Sequence, residues 1–113
     1  MPFIDAKTTV KATDAQIKEL TSLFGEAIAL IPGKSEEWLM VNIEGEKKMA
    51  FAASFADCAI LEVKIFGKAS KESYDSLTER LCQAVGRVLG IDEARIYIKY
   101  EEVSVWGWNG FNF

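Results

Sequence analysis

The chain contains no histidine among its 113 residues, and only two cysteines and two prolines. Without histidine, the side chain whose charge ordinarily changes near neutrality is missing, along with the commonest nitrogen ligand for metals. Cys58 and Cys82 lie in apolar sequence with no second thiol at metal-ligand spacing. Neither a zinc site nor a disulfide framework is indicated, and both read as buried thiols. No stretch approaches the run of about 18 apolar residues that a membrane span requires. The N-terminus lacks the basic start and apolar run of a signal peptide. That assigns the chain to the cytoplasm and leaves open secretion without a leader. Thirteen basic and 17 acidic residues give a net charge of −4. The two signs are interspersed, so the basic stripe that a phosphate backbone requires is absent and no nucleic-acid partner is expected.

What is present fits one domain spanning residues 1–113. Half of the residues are hydrophobic, and a chain of this size buries roughly two-thirds of its unfolded surface. Two helices are predicted from periodicity. In the first, Ile17, Leu20, Phe24, Ala27, Ile28 and Ile31 recur on one face. Thr13 with Gln16 three residues on forms a capping-box pattern, and Pro32-Gly33 breaks the helix. In the second, Ser70 is the cap, Tyr74, Leu77, Leu81, Ala84, Val85 and Val88 form the stripe, and Gly90 suits the left-handed position beyond its end. Strands are expected over 2–7, 37–43, 58–66 and 95–101.

The two halves, about 1–57 and 58–113, repeat. A shift of 57 lays Thr13 on Ser70, Leu20 on Leu77, Ala27 on Ala84 and Gly33 on Gly90. The fold class is therefore α/β, with two pseudo-symmetric βαβ units forming a four-stranded sheet and both helices on one face. The other face carries Asp5, Lys7, Asn42, Glu62, Lys64 and Lys99 among apolar side chains. Such a mixture suits a wet interior between copies of the chain.

One proline is placed where it can do chemistry. Pro2 follows Met1 directly, and removal of the methionine would leave it a free secondary amine. Model α-amines titrate at about 7.7 to 8.0, and burial beside a cation moves the value toward neutrality, where a general base works best. Position alone does not establish this, because a proline falls at position 2 by chance at roughly 5% average usage.

The start Met1-Pro2-Phe3-Ile4, the Gly33-Lys34 pair, Met49-Ala50-Phe51, Ile65-Phe66-Gly67-Lys68, Arg95-Ile96-Tyr97-Ile98 and the ending Gly107-Trp108-Asn109 together resemble the macrophage migration inhibitory factor family of the tautomerase superfamily. The likeness spans essentially the whole chain and rests on the order and spacing of these segments. It implies a homotrimer with three sheets around a channel in a barrel-like assembly, and active sites between subunits. It also implies keto-enol tautomerisation of aromatic α-keto acids such as phenylpyruvate, with Pro2 as catalytic base and no cofactor.

Further residues carry over by position. Lys34 matches the family's active-site lysine, which would pair with the substrate carboxylate and disfavour protonated Pro2; by itself it reads equally as a solvated lysine near a helix C-terminus. Phe66, preceded by Ile65, matches the position whose backbone N–H contacts the ligand. Tyr97 matches a tyrosine that reaches the site from the neighbouring subunit, although tyrosine in a strand is also ordinary packing. Lys99 stands where the family carries asparagine. It either binds substrate oxygen or carboxylate and lowers the pKa of Pro2 further, or pairs with Glu62 or Glu101. Trp106 replaces a smaller aliphatic residue and would narrow the pocket mouth or stack on an aromatic substrate; a trimer contact is the other reading. Trp38 and Trp108 are assigned to packing. The sequence Cys58-Ala59-Ile60-Leu61 lacks the second thiol of the family's C-x-x-C, so thiol oxidoreductase activity is not expected.

The functional expectation is thus an isomerase of the phenylpyruvate tautomerase type. A cytokine-like binding protein that keeps the fold and engages a receptor protein is the alternative. A related hydratase or dehalogenase would need a water-activating acid that no spacing singles out.

Overall fold

The computed structural model describes all residues 1–113. Strand β1 (Pro2–Thr8) leads into helix α1 (Asp14–Ile28) and strand β2 (Met40–Glu44), and strand β3 (Ala59–Phe66) leads into helix α2 (Lys71–Leu89) and strand β4 (Ile96–Val103). The sheet order is β2-β1-β3-β4. Within each unit the two strands are parallel, and the units meet where β1 and β3 run antiparallel at the centre. The two pseudo-symmetric βαβ units and the four-stranded sheet are as the sequence implies.

Local chemistry explains the helices. Thr13 accepts from the Gln16 backbone N–H at 3.1 Å while the Gln16 side chain accepts from the Thr13 N–H at 2.9 Å, the reciprocal pair that satisfies two orphan donors. Ser70 accepts from Ser73 N–H at 3.1 Å, and Gly90 ends α2 with φ 69°, a conformation glycine adopts without a Cβ penalty. The stripes bury Leu20, Phe24, Ala27 and Ile28 from α1 and Leu77, Leu81, Ala84 and Val85 from α2. They close on Ile4, Ala6, Leu61, Val63 and Ile65, the alternate residues of the central strands. Truncating the fully buried Phe24 to alanine would cost about 3–5 kcal/mol.

The boundaries differ from expectation in ways that have causes. Strand β2 begins at Met40 rather than Glu37, because Glu36–Trp38 form a single 3₁₀ turn. Arg95 likewise belongs to a 3₁₀ turn, Glu93–Arg95, and β4 runs on to Val103. Cys58 lies just before β3. Helix α1 stops at Ile28, and the chain passes through Leu30 N–H to Ala27 and Ile31 N–H to Ile28 turn bonds before Pro32. Cys82 is half-buried rather than buried. A C-terminal hairpin also forms, β5 (Gly107–Trp108) with β6 (Phe111–Asn112). Asn109 and Gly110 turn it with φ 52° and 84°, the left-handed pair a two-residue hairpin requires.

The sheet face away from the helices is a lattice of charges. Lys7 meets Asp5 at 2.7 Å, Asn42 donates to Asp5 and Glu44 at 2.9 Å each, and Lys64 lies 3.6 Å from Glu62.

Candidate active site

The N-terminus sits where β1 begins, at one end of the sheet. Pro2 is buried and pairs in register with Ile65, which fixes it against the end of β3. The next residue of β3, Phe66, uses both backbone groups here. Its N–H donates to the Met1 carbonyl at 3.0 Å, and its carbonyl accepts from Lys34 Nζ at 2.8 Å. Lys34 reaches this point because Gly33, with φ 81°, turns the chain after α1 and Lys34 N–H closes onto the Ile31 carbonyl at 3.0 Å. Thus Pro2, Lys34, Ile65 and Phe66 converge although they come from three segments.

The electrostatics follow. Burial holds the Met1 amine below its ordinary value of 8.0, and the charge and hydrogen bonding of Lys34 lower it further. A cation beside an amine disfavours the ammonium form. An amine at this end of β1 is therefore biased toward its neutral, basic state.

A groove of about 610 Å³ opens beside Pro2. Its walls include Trp38 and Met40 from the approach to β2, and Trp106 and Trp108 from the C-terminal segment. Trp106 thus lines the mouth, held there by its carbonyl accepting from Phe113 N–H at 2.9 Å. Trp38 and Trp108 do pack on each other, edge to face with centroids 5.1 Å apart. They nonetheless stay 45% and 43% exposed and face the groove, so packing is only half of what they do. The sequence carries no local signal for this: it is the parallel pairing of β2 with β1, in register Phe3 to Met40, that brings the residues just before β2 to the same end as Pro2.

Tyr97 and Lys99 are not brought to this groove. Tyr97 pairs with Ile60 and Ile60 with Lys7, five residues along β1 from Pro2, or about 17 Å at the strand rise. Lys99 lies opposite Glu62 and thence Asp5, three residues or about 10 Å along the strand direction from Pro2 and two strands over. Its ammonium is 3.2 Å from Glu101 and 3.6 Å from Glu62, the pairing given above as its alternative role. The hydrogen bond it donates to Glu101 is the main cause of its raised pKa. Cys82 is not an activated thiol either, since burial first and Glu93 second push its pKa up. No helix is long and apolar enough to cross a membrane.

Comparison with known proteins bears on the family and the fold. The family model described as macrophage migration inhibitory factor matches residues 1–113. Macrophage migration inhibitory factor of Xenopus laevis is 30% identical over 115 aligned residues, covering 100% of this chain and 99% of that protein. Among solved structures, MIF2 of Leishmania major superimposes with a TM-score of 0.94 at 28% identity, covering 100% of this chain and 97% of that one. A homologue from Prochlorococcus marinus gives 0.83 at 29% identity, with 98% of each chain covered. With a family model matching over its full length and a close superposition on MIF2 in three dimensions, the chain belongs to the macrophage migration inhibitory factor family.

Proposed function

We propose that the protein is a keto-enol tautomerase acting on aromatic α-keto acids of the phenylpyruvate type, with Pro2 as general base once Met1 is removed. The observation that carries this reading is that Pro2 is buried at the end of the sheet where Lys34 Nζ donates to the Phe66 carbonyl at 2.8 Å, and burial and Lys34 lower the basicity of the Met1 amine just outside it. In the enolising direction the neutral Pro2 nitrogen takes a proton from the carbon beside the keto group. The C–H electron pair becomes the C=C bond, and the protonated Pro2 returns that proton to the keto oxygen as C=O becomes C–O–H, which leaves the amine neutral for the next turnover. No redox partner or cofactor is needed, because the elements of the substrate are only rearranged.

Loss of Met1 does two things at once. It exposes the amine, and it removes the carbonyl that occupies Phe66 N–H, which leaves that donor for a substrate oxygen. Lys34, already at 2.8 Å from the Phe66 carbonyl, would pair with the substrate carboxylate. The tryptophan walls supply flat apolar surface for the aromatic ring. Tyr97 and Lys99, too far along the sheet to serve their own chain's groove, would come from a neighbouring subunit of a homotrimer whose channel is lined by the charged sheet face.

The test is the intact mass of the purified protein followed by a phenylpyruvate tautomerase assay across pH. Protein lacking Met1 should turn over, with an acid-side limb below that of an ordinary amine. Protein lacking Met1 without turnover would favour instead a cytokine-like protein that binds a receptor through the same fold.

A further inference from the structure

We propose that Arg95 is a positioning residue for Tyr97. Its guanidinium fixes the 51–57 loop, the loop fixes the Phe51 ring, and that ring fixes the orientation of the Tyr97 phenol. The weight of this for activity rests on the tautomerase reading, in which Tyr97 serves a neighbouring subunit's groove.

Arg95 makes no ion pair. Its donors are spent on four backbone carbonyls of a single loop: Nε on Asp57 at 3.0 Å, Nη1 and Nη2 on Phe51 at 3.2 Å each, and Nη2 also on Ser54 at 3.2 Å and Ala56 at 3.0 Å. Hydrogen bonds from an ionised donor are roughly twice as strong as neutral ones. The loop needs such a hold. Phe51 and Ser54 exchange two backbone hydrogen bonds at 3.0 Å each, and the residues between them, Ala52 and Ala53, take φ 51° and 59°. That is the geometry of a turn which normally demands glycine or asparagine, here built from two alanines. The guanidinium binds the carbonyls of both residues that close it.

The same guanidinium lies 5.2 Å from the centroid of Phe51, and the Phe51 ring packs on Tyr97 with centroids 4.6 Å apart. Tyr97 is 59% exposed, so Phe51 is the aromatic surface against which its ring is set. A single residue, Ile96, separates Arg95 from Tyr97, so the clamp and the ring it orients are delivered by one stretch of chain.

The experiment compares the Tyr97 ring resonances by NMR in tyrosine-labelled wild type, Phe51→Leu and Arg95→Gln. Phe51→Leu should move the Tyr97 signals by removing the ring current, and Arg95→Gln should move them the same way. A shift in Phe51→Leu with none in Arg95→Gln overturns the proposal. If Arg95→Gln does not fold, Arg95→Lys replaces it, since an ammonium cannot span four carbonyls and should give the same shift. A double-mutant cycle supplies the kinetic arm. Arg95→Gln should raise the KM for phenylpyruvate about tenfold in wild type and add little to Tyr97→Phe, because residues acting through one contact are not additive. An equal factor in both backgrounds would mark Arg95 as structural only. If Tyr97→Phe itself leaves KM unchanged, the place of Tyr97 in the site fails, while the ring shift still decides what Arg95 does.

Discussion

The backbone N–H of Phe66 donates to the carbonyl of Met1 across 3.0 Å, so the first residue of the chain occupies the donor that the proposed reaction assigns to a substrate oxygen. Amide exchange at Phe66 should therefore be slow while Met1 is attached and should quicken when it is removed, then slow again on adding a keto acid. Hydrogen exchange followed by NMR on the two forms checks this. Equal protection in both would mean that another group takes the donor.

Lys34 and burial both depress the basicity of the N-terminal amine, burial being the larger cause. Lys34→Ala removes one of them. The amine pKa should rise but stay below its ordinary value, and the acid-side limb of the pH–rate profile should move to higher pH. The sign follows because a neighbouring cation destabilises the protonated amine, so its loss makes protonation easier. KM should rise as well if the lysine pairs with the substrate carboxylate. A limb that moves to lower pH would contradict the assignment.

Lys99 lies 3.2 Å from Glu101 and 3.6 Å from Glu62, and carboxylates that close offset part of its positive field. If Lys99 binds substrate in a neighbouring subunit, Lys99→Ala should raise KM while leaving the pH profile in place. Unchanged KM and an unchanged profile together would remove it from the site and leave it as part of the charged sheet face.

Two glycines differ in what crowds them. A Cβ at Gly45 would stand 2.5 Å from the Val10 carbonyl oxygen and 3.1 Å from the Ala12 nitrogen, both backbone atoms. Gly45→Ala should cost about 1–3 kcal/mol, in the range of overpacking. At Gly25 the Cβ would meet the Glu36 carboxylate at 2.7 Å and the Glu36 Cβ at 3.0 Å, and the end of that side chain can swing away. Gly25→Ala should be the milder change in a denaturant melt, and the reverse ranking would show that the 36–38 turn cannot yield.

The left-handed Ala52 and Ala53 carry strain of about 1–2 kcal/mol each in L-residues, offset in part by the extra unfolded-state freedom of any glycine replacing them. Ala52→Gly should raise the melting temperature by a few degrees. A lower melting temperature would mean that the turn gains more from the alanine methyl than it loses in strain.

Much of the fold was legible because its signals are local. The capping residues Thr13 and Ser70, the helical stripes around Phe24 and Leu81, and the alternation of Ile4 and Ala6 or Leu61 and Val63 follow from backbone geometry within a few residues. The strand starts at Met40 and Ile96 were displaced from expectation because single 3₁₀ turns precede them, and an apolar run does not distinguish a tight turn from the first residues of a strand. The hairpin at Asn109-Gly110 had its turn signal in plain view, but its strands are two residues each and show no period.

The sequence by itself determined that there are two βαβ units and that Pro2, a free amine if Met1 is removed, occurs once per chain. Only the tertiary structure decided what surrounds it. Sheet register set Pro2 beside Ile65 and carried Tyr97 and Lys99 away from it, and Gly33 aimed Lys34 at the Phe66 carbonyl. Packing between distant segments brought Trp38 onto Trp108 and Arg95 onto the carbonyls of Phe51 and Ser54. The physical reason is one of range. Helix and strand periods are written by neighbours in sequence, whereas a site is made where strand pairing and burial place residues that have no local cause to meet.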